Sequence, residues 1–424
     1  MYRLVPSVRR EQGVSRNNRG DDGYSTVRLS ASNAASPMTV EALRTFTSAP
    51  DIPAHAISTA LGEPTAACPR LPAPTLKDRE DGECVKRRKF LSGTAAAMTA
   101  AAIPTAGTPA HADEAQLGEV LVARLRDAML GLGTPAHTAE PQHLAAELDH
   151  AHRDYRTGGY AGLAIRLPRL LATAHAAPGA DHHLLGRAYL LTTRLLIKLD
   201  EQQLGWMAAD RARQLATATA DPLVVAEAAR QLAVLARKAQ WHDQALTLAL
   251  TAADAPGLRE AGQPGIALRG LLLQSAAYTA AWQGNAAGMR ELTAEAAAIA
   301  ADLGATHHLD AGGFNPATVQ LHLVSAENSA GDPSRALAAA QAVDPAALPS
   351  AERRARLHTD VAHAHHKWGH RDACITSLLA AERCAPQETH ARPAVRALVA
   401  GLLLSGRTTP DLRGLATRVG ALSS

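Results

Sequence analysis

Nineteen histidines occur in this chain of 424 residues. The densest group, His358, Asp360, His363, His365, His366 and His370, contains residue types that ligate transition metals. The spacing does not complete a site. His363 and His366 are three apart and share a helical face, but no H-E-x-x-H occurs, and no carboxylate stands at ligand spacing with two histidines on one face. His150 and His152 are two apart and fall on different faces of a helix. The Gly-rich phosphate loops and the G-x-S-x-G nucleophile elbow are absent, as is any C-x-x-C pair. No catalytic residue, metal ligand or cofactor is expected, and the chain does not read as an enzyme.

The four cysteines are Cys68, Cys84, Cys374 and Cys384. Cys374 and Cys384 lie ten positions apart in one helical stretch. That is about 15 Å along a helix, too far for a disulfide. A reducing, cytoplasmic location is the expectation. The net charge of +3 exerts little general pull towards nucleic acid or membrane. No apolar run of about eighteen residues is present, so no membrane-spanning helix is expected.

The elements that must position any binding residue are helices. Hydrophobic residues make up 46% of the chain and aromatics 3%, an Ala- and Leu-rich composition suited to close helix–helix contact and not to sheets. Between residues 142 and 422 a unit of helix, small or polar turn and second helix recurs seven times. Its turn markers are Gly159, Asp200, Gln240, Gly284, Gly331, Gly369 and Gly406, roughly 37 to 47 residues apart. In several units a small residue follows the marker by five: Ala164, Gly205, Ala245, Ala336 and Cys374. A larger side chain there would push the two helix axes apart; the fourth unit has Met289. The third unit reads as Leu223 to Ala239 and Ala245 to Ala253, closed by Pro256. The sixth reads as Ala351 to Trp368 and Arg371 to Ala385, closed by Pro386. Phe314 is expected to staple the start of the fifth unit, with Asn315 as cap and Pro316 at the first helical position. The fold class is therefore all-α, a superhelical α-solenoid of about seven helix pairs. Such an array is a binding surface. Its concave face would be lined by the first helix of each unit, where Tyr155, Tyr189, Thr193, Arg230, Gln274, Tyr278 and His322 are the candidate groove residues for a peptide or protein partner.

Residues 1–62 are largely polar and irregular, with short helical patterns only near 39–62, and disorder is expected for most of them. Residues 63–112 read as a linker, Pro-rich in its first part. Within it Arg87, Arg88, Phe90 and Leu91 precede an Ala-rich stretch and Ala110-His111-Ala112. These are the parts of a twin-arginine export signal with a cleavage site at Ala110 and Ala112. Translation from Val85 would bring that signal to the N-terminus and make the protein an exported one; otherwise the segment is a linker. Asp113 to Leu132 is expected to be a helix, with Leu117, Val120, Leu121, Leu125 and Met129 on one stripe. The helical-repeat domain spans 113–422.

The early small residue of each second helix, the small residues facing it and Pro386 at a unit's end are similar to the tetratricopeptide repeat, although the spacing is longer than that family's. Landmarks from Phe314 to His322, Gly331 to Leu337, Val343 to Ser350, Glu352 to Arg356 and Leu379 to Pro386 resemble the C-terminal part of actinobacterial Xre-type regulators. Those join an N-terminal helix-turn-helix to tetratricopeptide-like repeats, commonly through an Arg-Arg-x-Phe-Leu segment like that at Arg87 to Leu91. The resemblance implies ligand-controlled transcription. At the N-terminus only residues 39–62 resemble the end of the DNA-binding domain, so a partial or degenerate helix-turn-helix is implied there. A protein–protein adaptor without DNA binding is the alternative.

Overall fold

The computed structural model describes residues 111–133, 141–177, 181–304, 306–310 and 312–422. The expectations for disorder, helix-turn-helix, the 63–110 part of the linker, Arg87 to Leu91 and Ala110 lie outside them. The described chain is helical almost throughout. Helix α1 (His111–Met129) begins two residues ahead of the expected Asp113, so Ala112 lies within a helix. There follow α2 (Pro141–Thr157) with α3 (Tyr160–Ala176), α4 (His182–Lys198) with α5 (Gln202–Thr219), and α6 (Pro222–Lys238) with α7 (His242–Ala253). After the short α8 (Pro256–Glu260) come α9 (Gly262–Trp282) with α10 (Ala286–Leu303), then strands β1 (His307–Leu309) and β2 (Gly312–Phe314). The chain ends with α11 (Pro316–Ser329) and α12 (Pro333–Gln341), α13 (Ala351–Lys367) and α14 (Arg371–Cys384), the short α15 (Pro386–Ala391), and α16 (Pro393–Leu404) with α17 (Pro410–Arg418).

One device makes most of the pairs. Six first helices end on a left-handed residue: Gly158, Asp200, Gln240, Gly284, Gly331 and Gly369. The next N–H then bonds back five residues, as in Glu201 to the Leu196 carbonyl (2.9 Å), Trp241 to Ala236 (2.8 Å) and His370 to His365 (2.8 Å). This satisfies a helix-terminal carbonyl and reverses the chain within two residues. In the first unit the left-handed residue is Gly158, with Gly159 serving as the N-cap of α3. Gly406 is not left-handed; the last pair turns through Ser405 to Thr409, and Thr409 caps α17. Ala164, Ala245, Ala336 and Cys374 are buried at the helix crossings, and a Cβ on Gly205 would meet Leu235 at 3.2 Å. Met289 is also fully buried, so the fourth unit accommodates a long side chain at that crossing.

Local structure departs from the expectation at three places. Pro256 and Pro386 do not close units: each sits at the first turn of an additional short helix, where its missing N–H costs no hydrogen bond. Residues 307–309 and 312–314 pair as antiparallel strands, with His307 opposite Phe314 and Leu309 opposite Gly312. Phe314 does more than staple α11. Its ring fills the space beside Gly270 of α9, where an added Cβ would lie 2.1 Å from its Cζ. Asn315 does cap α11, its side chain accepting from Thr318 N–H while Thr318 Oγ1 accepts from the Asn315 N–H, and Pro316 follows it.

The array also closes on itself. Ala391 of α15 belongs to the same apolar cluster as Leu121, Leu125 and Leu148. Gly118 of α1 lies against it, where an added Cβ would meet Ala391 at 3.2–3.3 Å. Lys198 Nζ donates to Glu352 and to Glu388, both at 2.7 Å, across 154 and 190 residues of chain. Among the described residues no helix is long and apolar enough to cross a membrane.

Candidate ligand-binding cavity

The first helices line a half-open cavity of about 590 Å³. Its walls come from α2, α4, α6, α9, α11, α13 and α16, so residues from both ends of the repeat domain meet there. The lining stripes follow helical spacing: Arg194 and Lys198 on α4, Arg230 and Arg237 on α6, Ser275, Tyr278 and Trp282 on α9, Arg353 and Arg356 on α13.

Of the candidate groove residues, Tyr155, Arg230, Tyr278 and His322 line this cavity and the other three do not. Thr193 is one position from Arg194, and its hydroxyl donates to the Tyr189 carbonyl at 2.8 Å. Gln274 is one position from Ser275 and is buried. One step along a helix rotates a side chain by about 100°, which moves both out of the wall. Tyr189 points elsewhere, its hydroxyl meeting His175 Nε2 at 2.6 Å and accepting from Arg211 at 2.9 Å. The basic residues Arg194, Lys198, Arg237, Arg353, Arg356 and Arg392 were not legible as lining residues, because long charged side chains ordinarily mark a solvated face.

Most of these cations are matched. Arg230 forms a two-pronged pair with Glu227 (2.7 and 2.8 Å), which holds that carboxyl below its ordinary value against the upward push of burial. Lys238 pairs with Asp200 at 2.6 Å. Burial pulls the Lys198 ammonium down, but Glu352 and Glu388 outweigh it and raise it. Arg356 lies 3.5 Å from Asp360 and donates to the Tyr278 hydroxyl at 2.6 Å.

Arg194 and Arg237 are different. Neither has a carboxylate at ion-pair distance among the described residues. Among the described residues Arg237 donates only to the Ser275 carbonyl (3.2 Å), and it stacks 5.2 Å from the centre of the Tyr278 ring. Burial without a counter-charge pushes its guanidinium down to about 10, with Arg356 and Arg230 adding to the effect. Arg194 reaches the Asp310 carbonyl in the hairpin loop with Nη1 and lies over the Tyr155 ring.

The hairpin covers this side of the array. Arg187 binds the Asp310 carboxylate with two nitrogens, and His152 Nε2 stands 3.6 Å from it. Burial pulls that carboxyl up, but Arg187 and the neighbouring positive charge hold it at about 2. Among the described residues no group of three or more His, Cys, Asp or Glu is placed to hold a metal ion, and Cys374 and Cys384 are free thiols.

No family model matches this chain, no curated protein matches it, and no solved structure matches it.

Proposed function

We propose that this protein is a ligand-responsive transcriptional regulator whose helix pairs form a tetratricopeptide-like superhelix around its ligand. The observation that carries the ligand-binding part is the cavity itself. One occupant would touch residues from Tyr155 to Ala397 at once, so its binding energy acts on the contacts that close the array. A volume of about 590 Å³ suits a small molecule or the end of a short peptide. The DNA-binding part rests on the resemblance of residues 39–62 and Arg87 to Leu91 to Xre-type regulators, and it puts the protein in the cytoplasm with the DNA.

The test is anisotropy of labelled duplex DNA titrated with the full chain at about 50 mM salt and again at about 200 mM. The titration is run with and without the small-molecule fraction of a cell extract. Salt-dependent binding whose affinity moves with that fraction is the expected result. A chain without DNA affinity at low salt, or a mature chain beginning near Asp113 in culture medium, would contradict the regulator reading.

A further inference from the structure

The polar atoms of the cavity wall that lack a partner are of one kind. Arg194 Nη2, Ser275 Oγ and His322 Nδ1 are buried and hydrogen-bonded to no other atom of the described residues. The side chains they belong to are at least nine-tenths buried. Arg194 Nη2 can only donate. His322 Nε2 lies 3.2 Å from Arg353 Nη1, which also can only donate, so Nε2 must accept and Nδ1 must carry the proton. Burial first, and then Arg356 and Arg353, drive the His322 pKa well down, which keeps the ring neutral and this tautomer in place. Ser275 Oγ can donate too. Arg392 Nε, on the α16 side, is a fourth orphaned donor.

The charge of the wall points the same way. Eight basic side chains line the cavity with two carboxylates, Asp200 and Glu352. Glu227, Glu388 and Asp360 serve some of the eight from behind, which still leaves cations in excess. The surplus is greatest at Arg237, which has no carboxylate at ion-pair distance among the described residues. A buried donor without an acceptor and a buried cation without a counter-charge are both costly, and one group relieves both: an oxyanion. Beside it Tyr155, Tyr278 and Trp282 offer ring surface to the rest of a ligand.

We infer, building on the ligand-binding reading above, that the cavity is an oxyanion site. It receives a small molecule or peptide end through a carboxylate or phosphate group, held by Arg194, Arg237, Ser275 and His322.

Titration calorimetry of the full chain tests this, with inorganic pyrophosphate and citrate as probes in a low-salt buffer free of both, and Trp282 fluorescence as a second readout. The expected result is one site per chain with Kd below about 1 mM for at least one probe; which probe binds separates phosphate from carboxylate. Arg237→Met weakens binding by roughly tenfold or more, the loss of a charge-assisted contact, while raising the melting temperature of the unliganded chain. A purely structural arginine would do the reverse on melting. Ser275→Ala, a smaller change, weakens binding without unfolding the protein. Absence of binding of either probe up to about 10 mM, together with binding of a neutral compound from the extract fraction, would overturn the oxyanion assignment and leave the ligand-binding reading standing. Absence of any bound compound would remove both.

Discussion

Individual side chains in this protein carry most of the polar interest, and His152 shows how. It is buried against the hairpin, and burial pulls its pKa down to about 3, with Asp310 opposing and Arg194, Arg187 and Arg156 assisting. The ring is therefore neutral in the folded protein, whereas in the unfolded chain it protonates near 6.5. Between those values the unfolded state binds the extra proton, so this histidine's contribution to stability is complete above about pH 6.5 and is lost as pH falls towards 3. From pH 7 to pH 5 the expected loss is about 2 kcal/mol. Urea unfolding at the two pH values reads the summed slope, to which other histidines with lowered pKa values such as His322 and His363 add, and His152→Gln should flatten that slope by about the His152 amount. An unchanged slope would show that His152 is not neutral in the fold. This environment is not legible from residues 149–154 alone, since the partner Asp310 is 158 positions away. Tyr155, Arg230, Tyr278 and His322 were legible because helical phase places them, and Arg194 and Ser275 were missed by one position of that phase.

Among the elements, most pairs of helices are legible in the sequence, because they depend on a local device, a left-handed turn and usually a small residue at the crossing. The hairpin is not. Its strands have three residues each, too short for a visible alternation, and its stability comes from Phe314 entering the space beside Gly270 and from Asp310 meeting Arg187. Gly270→Ala tests that packing. In a helix interior this change ordinarily stabilises by up to about 1 kcal/mol. Here the new methyl would overlap the Phe314 ring, and a net loss of about 1–3 kcal/mol is expected, measured by chemical denaturation. Adding Phe314→Leu should recover part of it. A stabilised Gly270→Ala protein would mean the ring moves aside freely.

For the chain in its entirety, closure is the property that periodicity could not reveal. Repeat patterns describe neighbours, whereas Gly118 against Ala391 and Lys198 between Glu352 and Glu388 join distant units. An open groove was the natural expectation; the contacts between distant units narrow it to a half-open cavity. Lys198 is the closest charge to two buried carboxylates, so Lys198→Met leaves Glu352 and Glu388 with only the longer contacts to Arg353 (3.5 Å) and Arg392 (3.8 Å). A loss of about 3–5 kcal/mol is expected, with faster proteolysis between α15 and α16 and a larger radius of gyration by solution scattering. A compact, fully stable variant would show that apolar contacts alone hold the ends.

The measurement that bears most directly on the ligand-binding cavity is the native mass of the full chain after incubation with the small-molecule fraction of a cell extract. The cavity predicts one adduct per chain, released as an acid-bearing compound and strongly reduced in Arg237→Met. A chain that keeps its bare mass in every such fraction, with unchanged exchange protection along α4, α6 and α9, would contradict it.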